Sequence, residues 1–348
     1  MRVVLFCANP YALGILKPLH DALMLQRHHV LWYIPEKIVG QFPFTGDFNK
    51  TGSIAALYNF KSDAIFVPGN EVPHYLSGVK VQIFHGLAGE KQGHFRIRNY
   101  FDLYLTQGPY FTERFREFAL KHRDFQVTET GWCKLDPLYQ HHEAALVERD
   151  QLLHGDNKKI LVLYAPTFSP SLTSATSARK EIFELAVQQD IYVMIKFHDL
   201  MDPEVVDAYK VAARKVGNVS IIEDRNILKY LIMADMMISD TSSVVYEFIL
   251  LNKPVITIRS TAEAINWRDV PAASELISAV NHELLYDDFR EARLTTIRQY
   301  HPYTDGQSSE RMISAAEAYI KEYGVPEKRK LNLYRRYKIN KMFGRKPK

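Results

Sequence analysis

Short apolar runs and amphipathic stretches alternate along most of this chain. Several of the intervening stretches carry apolar residues at helical spacing, as Leu16, Leu19 and Leu23 do. Repeated strand–helix alternation predicts open, mostly parallel α/β sheets, in which ligands gather at the carboxyl ends of the strands. The strand-like runs cover residues 3–7, 29–34, 64–67, 79–84, 103–106, 125–130, 160–164, 191–195, 219–222, 236–238 and 255–258.

The alternation occurs in two similar halves, joined by a polar stretch with leucines at helical intervals. We therefore predict two Rossmann-like domains with the ligand in the cleft between them. The predicted segments are an N-terminal domain (1–140), a connecting segment (141–158), a C-terminal domain (159–324) and a tail (325–348).

The stretch from Met236 to Ile258 predicts a strand, a hydroxyl-rich turn, a helix over 244–251 and a second strand. Thr241, Ser242 and Ser243 stand at the expected helix start, where hydroxyl side chains cap the first N–H groups. N–H groups left uncapped would bind an anion. This pattern by itself fits an ordinary capped helix as well as a phosphate site.

Three polar groups of the second half follow separate predicted strands. Thr167 follows one strand and His198 the next, with Lys196 beside it, while Thr241 to Ser243 follow a third. Strand ends of a parallel sheet share one edge, so we expect these groups to form a diphosphate site. Glu247, one helical turn after Ser243, could bind a ribose or be an exposed helix residue.

His85 and Gly86 are the corresponding feature of the first half, at the end of the run 79–84. Gly86 would let the backbone approach a ligand, and His85 could take a proton from an attacking hydroxyl. A hydrogen-bonded structural histidine is the alternative interpretation of His85.

Composition narrows the class of protein. The chain has 348 residues, 47% of them hydrophobic and 24% charged, as in globular proteins with ample core. Cys7 and Cys133 lie far apart and fit neither a disulfide framework nor a zinc pattern, which indicates a reducing, cytosolic setting. The sequence contains no GxGxxG motif, no P-loop and no zinc-site spacing. The candidate site residues named above require no metal or other cofactor. No run approaches the roughly 18 apolar residues of a membrane span.

Charge is concentrated at the C-terminus. Residues 327–348 hold ten Lys or Arg and one acid, a net charge of +9 in a chain of +4, so residues 1–326 sum to −5. Basic residues interleaved with apolar and aromatic ones favour an anionic membrane surface. A disordered solvated terminus is the alternative, and the acidic body argues against nucleic acid. We expect a cytoplasmic protein, peripheral on the inner face of the cell membrane.

Several strings together resemble one known family. YAPTF (164–168), KFHD (196–199), ISDTSSVVYEFILLNKPVI (238–256) and DGQSSERM (305–312) are similar to the C-terminal half of the CDP-glycerol glycerophosphotransferases, the teichoic-acid primases and polymerases. HGLAGEKQG (85–93) and TGWCKLD (130–136) are similar to strings of that family's first half. The strings span residues 85–312 in the expected order.

The resemblance implies a GT-B fold with an acceptor-side domain followed by a nucleotide-donor domain. It also implies transfer of glycerol phosphate, or a related polyol or sugar phosphate, from a CDP-linked donor to a hydroxyl of a lipid-linked or polysaccharide acceptor, with release of CMP. His85 and His198 match the family's two histidines. The expected donor-binding residues are Gly86, Thr167, Lys196, Asp240, Thr241, Ser242, Ser243, Glu247, Asp305, Gly306, Ser309 and Arg311.

The donor half keeps the family's pattern more closely than the acceptor half. Leu87, Ala88 and Glu90 stand where the family has Thr, Pro and Lys after its His-Gly. The rival interpretations are a GT-B sugar-nucleotide glycosyltransferase or UDP-GlcNAc 2-epimerase and, from another class, a non-catalytic nucleotide-binding subunit.

Overall fold

The computed structural model describes residues 1–87, 95–156, 158–188, 190–224, 226–262 and 265–347. The chain divides into two compact units, each containing one sheet. Unit 1 comprises residues 1–136 and 299–348, and unit 2 comprises residues 137–298.

Unit 1 is built on a seven-stranded sheet in the order β3-β2-β1-β4-β5-β6-β7, with every pair parallel. Its elements up to the end of the sheet are β1 (Arg2–Phe6), α1 (Ala12–Leu25), β2 (His29–Tyr33), α2 (Glu36–Val39), β3 (Lys50–Thr51), α3 (Ile54–Phe60), β4 (Ala64–Val67), β5 (Val79–Gln82), β6 (Leu103–Thr106), α4 (Pro109–His122) and β7 (Gln126–Glu129).

Unit 2 contains a six-stranded sheet in the order β10-β9-β8-β11-β12-β13, again with every pair parallel. The next elements in the chain are α5 (Asp136–Gln140), α6 (His142–Leu152), β8 (Ile160–Tyr164), α7 (Arg179–Val187), β9 (Ile191–Ile195), α8 (Pro203–Ala213), β10 (Val219–Ile221), α9 (Leu228–Met233), β11 (Met236–Ser239), α10 (Val244–Ile249), β12 (Val255–Ile258), β13 (Arg268–Val270), α11 (Leu276–Tyr286) and α12 (Arg290–Tyr300). The chain then returns to unit 1 with α13 (Ser308–Tyr323) and α14 (Leu333–Phe343).

The central strands are buried on both faces, as expected when helices cover both sides of a parallel sheet. Every residue of β4, β5, β6, β11 and β12 is buried, including the polar Lys80 and Thr257. The predicted α/β fold class is confirmed, and the strands at 64–67, 103–106, 160–164, 191–195 and 255–258 match the predicted residues.

The predicted C-terminal domain, 159–324, extends too far along the chain. Residues from Gln299 onward pack in unit 1, so α13 belongs to that unit. One reason is a close backbone contact, since a Cβ atom on Gly108 would lie 2.5 Å from the Tyr300 carbonyl oxygen. The ring of Tyr300 also stacks on Tyr110, with centroids 4.8 Å apart. These partners are almost 200 residues apart in sequence, which local patterning does not detect.

The basic tail is a folded part of unit 1, so the alternative of a disordered terminus is wrong. Arg329 is buried, and its guanidinium pairs with Asp102 at 2.5 Å and Asp124 at 2.9 Å. Ile339 of α14 is fully buried, and the Tyr75 hydroxyl donates to the Gly344 carbonyl at 2.9 Å. Within the described residues, no helix combines the length and apolarity needed to cross a membrane.

We predict that Arg329→Met destabilises the protein by about 3–5 kcal/mol, because it leaves the buried Asp102 carboxylate without its charge partner. Urea unfolding at pH 7 measures the loss. The matched control is Arg336→Met, an exposed position of the same tail, for which a change within about 0.5 kcal/mol is expected. Equal stabilities of the two variants would show that the ion pair does not hold the tail.

Candidate active site

His85 lies three residues beyond β5 and is exposed, and its ring packs on Tyr11 with centroids 5.2 Å apart. Its Nδ1 is 3.0 Å from the Pro68 carbonyl oxygen. A carbonyl oxygen only accepts hydrogen bonds, so Nδ1 carries the proton of the neutral ring. Nε2 therefore has a lone pair and can accept a proton. The preceding residue, Phe84, has φ +60°, a strained conformation of the kind that occurs at functional sites.

Gly86 is held by Gln107, whose side-chain amide donates to the Gly86 carbonyl at 3.1 Å. A Cβ atom built on Gly86 would meet nothing within 4 Å. The space beside this residue is therefore open, while contact of its backbone with a ligand remains a prediction. Residues 88–93 of the string HGLAGEKQG lie outside the described residues.

In unit 2 the predicted convergence at one sheet edge is confirmed. Strands β9, β8 and β11 are adjacent in that order, and all run in the same direction. Their carboxyl ends place His198, Thr167 and Thr241 to Ser243, respectively, along one edge of the sheet.

His198 is exposed, and its ring packs on Phe168 with centroids 4.5 Å apart. Its Nδ1 accepts a hydrogen bond from the Leu200 backbone N–H at 3.1 Å. The proton of the neutral ring is therefore on Nε2, which acts as a hydrogen-bond donor. Partial desolvation is the largest cause that lowers the pKa of His198 below its usual value, and neighbouring Lys196 lowers the pKa further. The neutral form is thus favoured at neutral pH.

Asp240 organises the loop that follows β8. One carboxylate oxygen accepts from the Thr167 N–H at 2.9 Å, and the other accepts from both the N–H and the hydroxyl of Ser174, at 2.8 and 2.9 Å. The side chain is 1% exposed, and its burial raises the pKa of the carboxyl group. Asp240 was predicted to bind the donor, but in the structure both its oxygens hold this loop and so position Thr167.

Ser174 is a site residue that the sequence analysis missed. It is 1% exposed, and its hydroxyl bonds to Asp240 and to the Tyr164 hydroxyl, at 2.9 Å each. The available signal was the Ser/Thr-rich segment 169–177, which gives no indication of which hydroxyl is buried.

The hydroxyl cluster after β11 differs from the predicted helix cap. Helix α10 starts at Val244, and the side chain of Ser243, at its N-cap, makes no capping hydrogen bond. Ser242 Oγ is 3.5 Å from the Val244 nitrogen, at the limit of a hydrogen bond. Among the described residues, Thr241 Oγ1 is buried without a partner. A buried hydroxyl of this kind favours a bound polar ligand.

Two further predicted donor-binding residues are more buried than their sequence context indicates. Lys196 is 8% exposed, and its ammonium donates to the Phe197 carbonyl at 2.9 Å. Glu247 is 6% exposed, so the alternative that it is an exposed helix residue is wrong. Their contact with a donor remains a prediction.

Asp305, Gly306, Ser309 and Arg311 were assigned to the donor half, but the structure places all four in unit 1. The Asp136 carboxylate accepts from the Ser309 N–H at 2.8 Å and from the Ser309 hydroxyl at 2.6 Å. Arg311 donates to the Thr130 carbonyl at 2.7 Å and pairs with Asp305 at 2.7 Å. The segments TGWCKLD (130–136) and DGQSSERM (305–312) are therefore in contact, because the Asp136 carboxylate caps the start of α13.

The same junction includes Gly131, Trp132 and His301. Gly131 has φ +79°, and a Cβ there would lie 2.5 Å from Ser308 Oγ, so only glycine fits. His301 is 1% exposed and accepts a hydrogen bond from the Trp132 N–H at 3.0 Å. Burial lowers the pKa of His301 to about 4. The ring is therefore neutral under ordinary conditions.

Cavities lie beside His198 and close to His85. In unit 2, a cavity of about 290 Å³ is lined by His198, Met201 and Ile221 among others. In unit 1, a cavity of about 280 Å³ is lined in part by Tyr11, which contacts His85. A larger groove of about 720 Å³, between α4, β7 and α13, contains neither histidine.

One described cluster has the composition of a metal site. Ligand atoms of His282, Glu283 and Asp288 lie within 4.8 Å of one another. Arg268 pairs with both carboxylates, at 2.8 and 2.6 Å, and supplies the positive charge that they require. The cluster is therefore an ion-pair network that joins β13, α11 and the turn that follows α11.

Two parallel α/β units, with polar residues at the carboxyl edges of their sheets, define a protein of the GT-B class. This assignment agrees with solved GT-B structures. Residues 78–264, more than half of the chain, match the family described as CDP-Glycerol:Poly(glycerophosphate) glycerophosphotransferase. The chain belongs to this family.

Curated relatives include proteins of two activities. The chain is 27% identical over 188 residues to UDP-N-acetylglucosamine 2-epimerase of Salmonella typhimurium, covering 51% of this chain and 48% of the relative. It is 26% identical over 258 residues to the teichoic acid ribitol-phosphate polymerase TarL of Staphylococcus aureus, covering 65% and 43%. The chain spans about half the length of the curated relatives it matches.

Solved structures show the same fold at low identity. A variant of the wall teichoic acid polymerase TagF soaked with CDPG has TM-score 0.65 and 16% identity, with 92% of this chain and 89% of that chain covered. UDP-GlcNAc 2-epimerase from Neisseria meningitidis, bound to UDP-GlcNAc, has TM-score 0.64 and 15% identity, with 91% and 100% covered.

We predict that protonation of His301 destabilises the fold in acid. The folded protein binds this proton with a pKa of about 4, whereas the unfolded chain binds it with the ordinary pKa of 6.5. The free energy of unfolding is therefore unaffected above pH 6.5 and decreases as the pH falls toward 4, by roughly 3 kcal/mol in total. Free energies of unfolding in urea between pH 7 and 4.5 measure the slope. In His301→Gln the slope should be shallower, whereas exposed His122→Gln should keep the wild-type slope. Parallel curves for wild type and His301→Gln would contradict the assignment.

Proposed function

We propose that this chain transfers glycerol phosphate, or a related polyol or sugar phosphate, from a CDP-linked donor to a hydroxyl of a lipid-linked or polysaccharide acceptor of the cell envelope, with release of CMP. Family membership supports the donor class, as does the likeness to TagF soaked with CDPG. The observation that carries the proposal is the opposite proton placement on His85 and His198. Backbone groups leave Nε2 of His85 as an acceptor and Nε2 of His198 as a donor.

His85 acts as the general base in this proposal. Its Nε2 takes the proton of the acceptor hydroxyl, and the hydroxyl oxygen forms a bond to the β-phosphorus of the donor. The bond from that phosphorus to the bridging oxygen breaks, and its electron pair leaves with CMP. The acceptor then carries the polyol phosphate, and His85 returns its proton to solvent.

His198 binds the phosphate that becomes the leaving group. Its Nε2–H donates to a phosphate oxygen on which negative charge grows, and stabilisation of this kind is commonly a large catalytic term. Thr167, positioned by Asp240, and the hydroxyls of Thr241, Ser242 and Ser243 supply further donors along the same sheet edge. Lys196 and Glu247 complete the proposed donor site, with Glu247 toward the ribose.

A second candidate is a UDP-GlcNAc 2-epimerase, favoured by the Salmonella relative and by the fold of the Neisseria enzyme. The two candidates differ in the nucleotide and in the bond that is broken. An epimerase would act on UDP-GlcNAc and release no CMP. A non-catalytic subunit would bind CDP without turnover.

We predict that the wild-type protein releases CMP from CDP-glycerol in the presence of acceptor, and that His85→Ala slows release by about 10²- to 10⁴-fold, the range of a general base. Chromatographic separation of CMP and glycerol phosphate measures the reaction. Exposed His29→Ala is the matched control and should retain full activity. Undiminished release by His85→Ala would exclude His85 as the base. UDP-GlcNAc turnover without CMP release from CDP-glycerol would favour the epimerase.

We also propose that α14 docks the protein on the inner face of an anionic membrane. Leu333, Tyr334 and Tyr337 are 80%, 69% and 67% exposed on this helix, and Met342 is 49% exposed. The exposed cations Lys330, Arg336, Lys341, Arg345 and Lys346 lie along the same segment. Aromatic and aliphatic side chains interleaved with cations suit the interface of an anionic bilayer.

We predict that the double substitution Leu333→Ser/Tyr337→Ser weakens binding to phosphatidylglycerol-containing vesicles at least tenfold in a sedimentation assay. The matched control is Leu285→Ser/Tyr286→Ser, which removes a similarly exposed pair from α11 and should bind as wild type. These substitutions are preferable to truncation, which would remove the buried Arg329 and Ile339. Equal vesicle binding by both double variants would refute docking through α14.

A further inference from the structure

The cavity of about 280 Å³ in unit 1 has no role in the donor site. It lies at the carboxyl ends of β2, β1 and β4, three adjacent strands whose terminal residues Tyr33, Phe6 and Val67 line it. Ligands of parallel sheets bind at this edge. We propose that this cavity binds the hydroxyl-bearing end group of the acceptor, a polyol or a sugar, and presents it to His85. The inference rests on the proposed transferase function and identifies its second substrate site.

Two contacts connect the cavity to His85. The Nδ1–H of His85 donates to the carbonyl of Pro68, which lies between the cavity-lining residues Val67 and Gly69. The His85 ring also packs on Tyr11, another lining residue. The loop that forms the cavity therefore also fixes the proton of His85 on Nδ1, leaving Nε2 to accept one. A hydroxyl group bound in this cavity would lie beside His85, the proposed base that takes the proton of the acceptor hydroxyl.

The lining chemistry fits hydroxyl groups better than a phosphate. The two charged lining residues, Lys37 and Glu71, are of opposite sign, and the other lining residues with polar side-chain groups are Asn9, Asn70, Tyr11 and Tyr33. Amides and phenols can donate to hydroxyl groups or accept from them, and a carboxylate accepts from them. Aromatic rings complete the wall, with Phe6 stacked on Tyr33 at a centroid distance of 4.5 Å. A small polar cavity with aromatic surfaces suits a polyol or sugar ring.

The C-terminal end of α14 forms the remaining wall. Met342 and Phe343 line the cavity, and the Phe343 ring meets the Phe6 ring edge-on at 5.5 Å. Lys338 of the same helix pairs with Glu71 at 3.1 Å. The helix proposed to contact the membrane therefore ends at the cavity. A lipid-linked acceptor held at that surface would have its head group within reach of this site.

Filling the cavity tests the proposal. Ala8→Leu places a larger side chain in its wall, and Asn70→Ala removes one hydrogen-bonding group. The probes are an oligo(glycerol phosphate) and an octyl N-acetylglucosaminide, which represent polyol and sugar end groups. Titration calorimetry without donor measures binding, and CMP release with CDP-glycerol measures the apparent KM for each probe. Exposed Ala56→Leu and Asn281→Ala are the matched controls.

We expect at least one probe to bind the wild-type protein, and its Kd and KM to rise at least tenfold in Ala8→Leu. Asn70→Ala should raise both roughly three- to tenfold, the loss of about one hydrogen bond. Binding of CDP-glycerol, measured by calorimetry without acceptor, should stay at the wild-type level. Failure of both probes to bind, or wild-type affinity in both cavity variants, overturns the assignment. Absence of CMP release with any acceptor would instead overturn the proposed function.

Discussion

Parallel strand pairing is the constraint on which the rest of this structure depends. Because every strand pair in both sheets is parallel, all carboxyl ends of a sheet meet at one edge. Residues separated by dozens of positions therefore become neighbours there. In unit 2 this edge collects Thr167, His198 and the hydroxyl cluster after β11. In unit 1 it places His85 beside a cavity formed by the ends of three strands.

Buried carboxylates hold the loops at these edges. Asp240 accepts hydrogen bonds from Thr167 and Ser174, which connect the segment after β8 to the end of β11. Asp136 has the corresponding role in unit 1, where it caps α13 through Ser308 and Ser309. Burial raises the pKa of both carboxyl groups, and several N–H and O–H donors offset this cost. Both aspartates belong to strings that resemble the family, yet in this structure their carboxylates support the loops around the site.

The C-terminal segment combines structural and surface features. Arg329 and Ile339 anchor it to unit 1 through a buried ion pair and a core contact. Its exposed face keeps aromatic and cationic side chains, and its last turn reaches the cavity next to Tyr11. These features support our proposal that the acceptor approaches from a membrane surface and reacts close to it.

The sequence by itself determined the α/β class, most strands of the central sheets and the edge that collects Thr167, His198 and residues 241–243. It could do so because the periodicity of apolar residues, the turn residues and the ends of strands are local properties of the chain. Helix α11 and strand β13 were not predicted, although they are local elements, whereas the return of α13 to unit 1 was not predictable in this way. Neither were the roles of Asp240, Ser174 and Ser309, since these depend on partners 66 to 173 residues away. The tertiary structure decided which nitrogen of His85 carries the proton, because the Pro68 carbonyl of a neighbouring loop accepts from Nδ1. For His198 the choice depends on the conformation of its own loop, in which the Leu200 N–H donates to Nδ1, and the sequence does not specify that conformation.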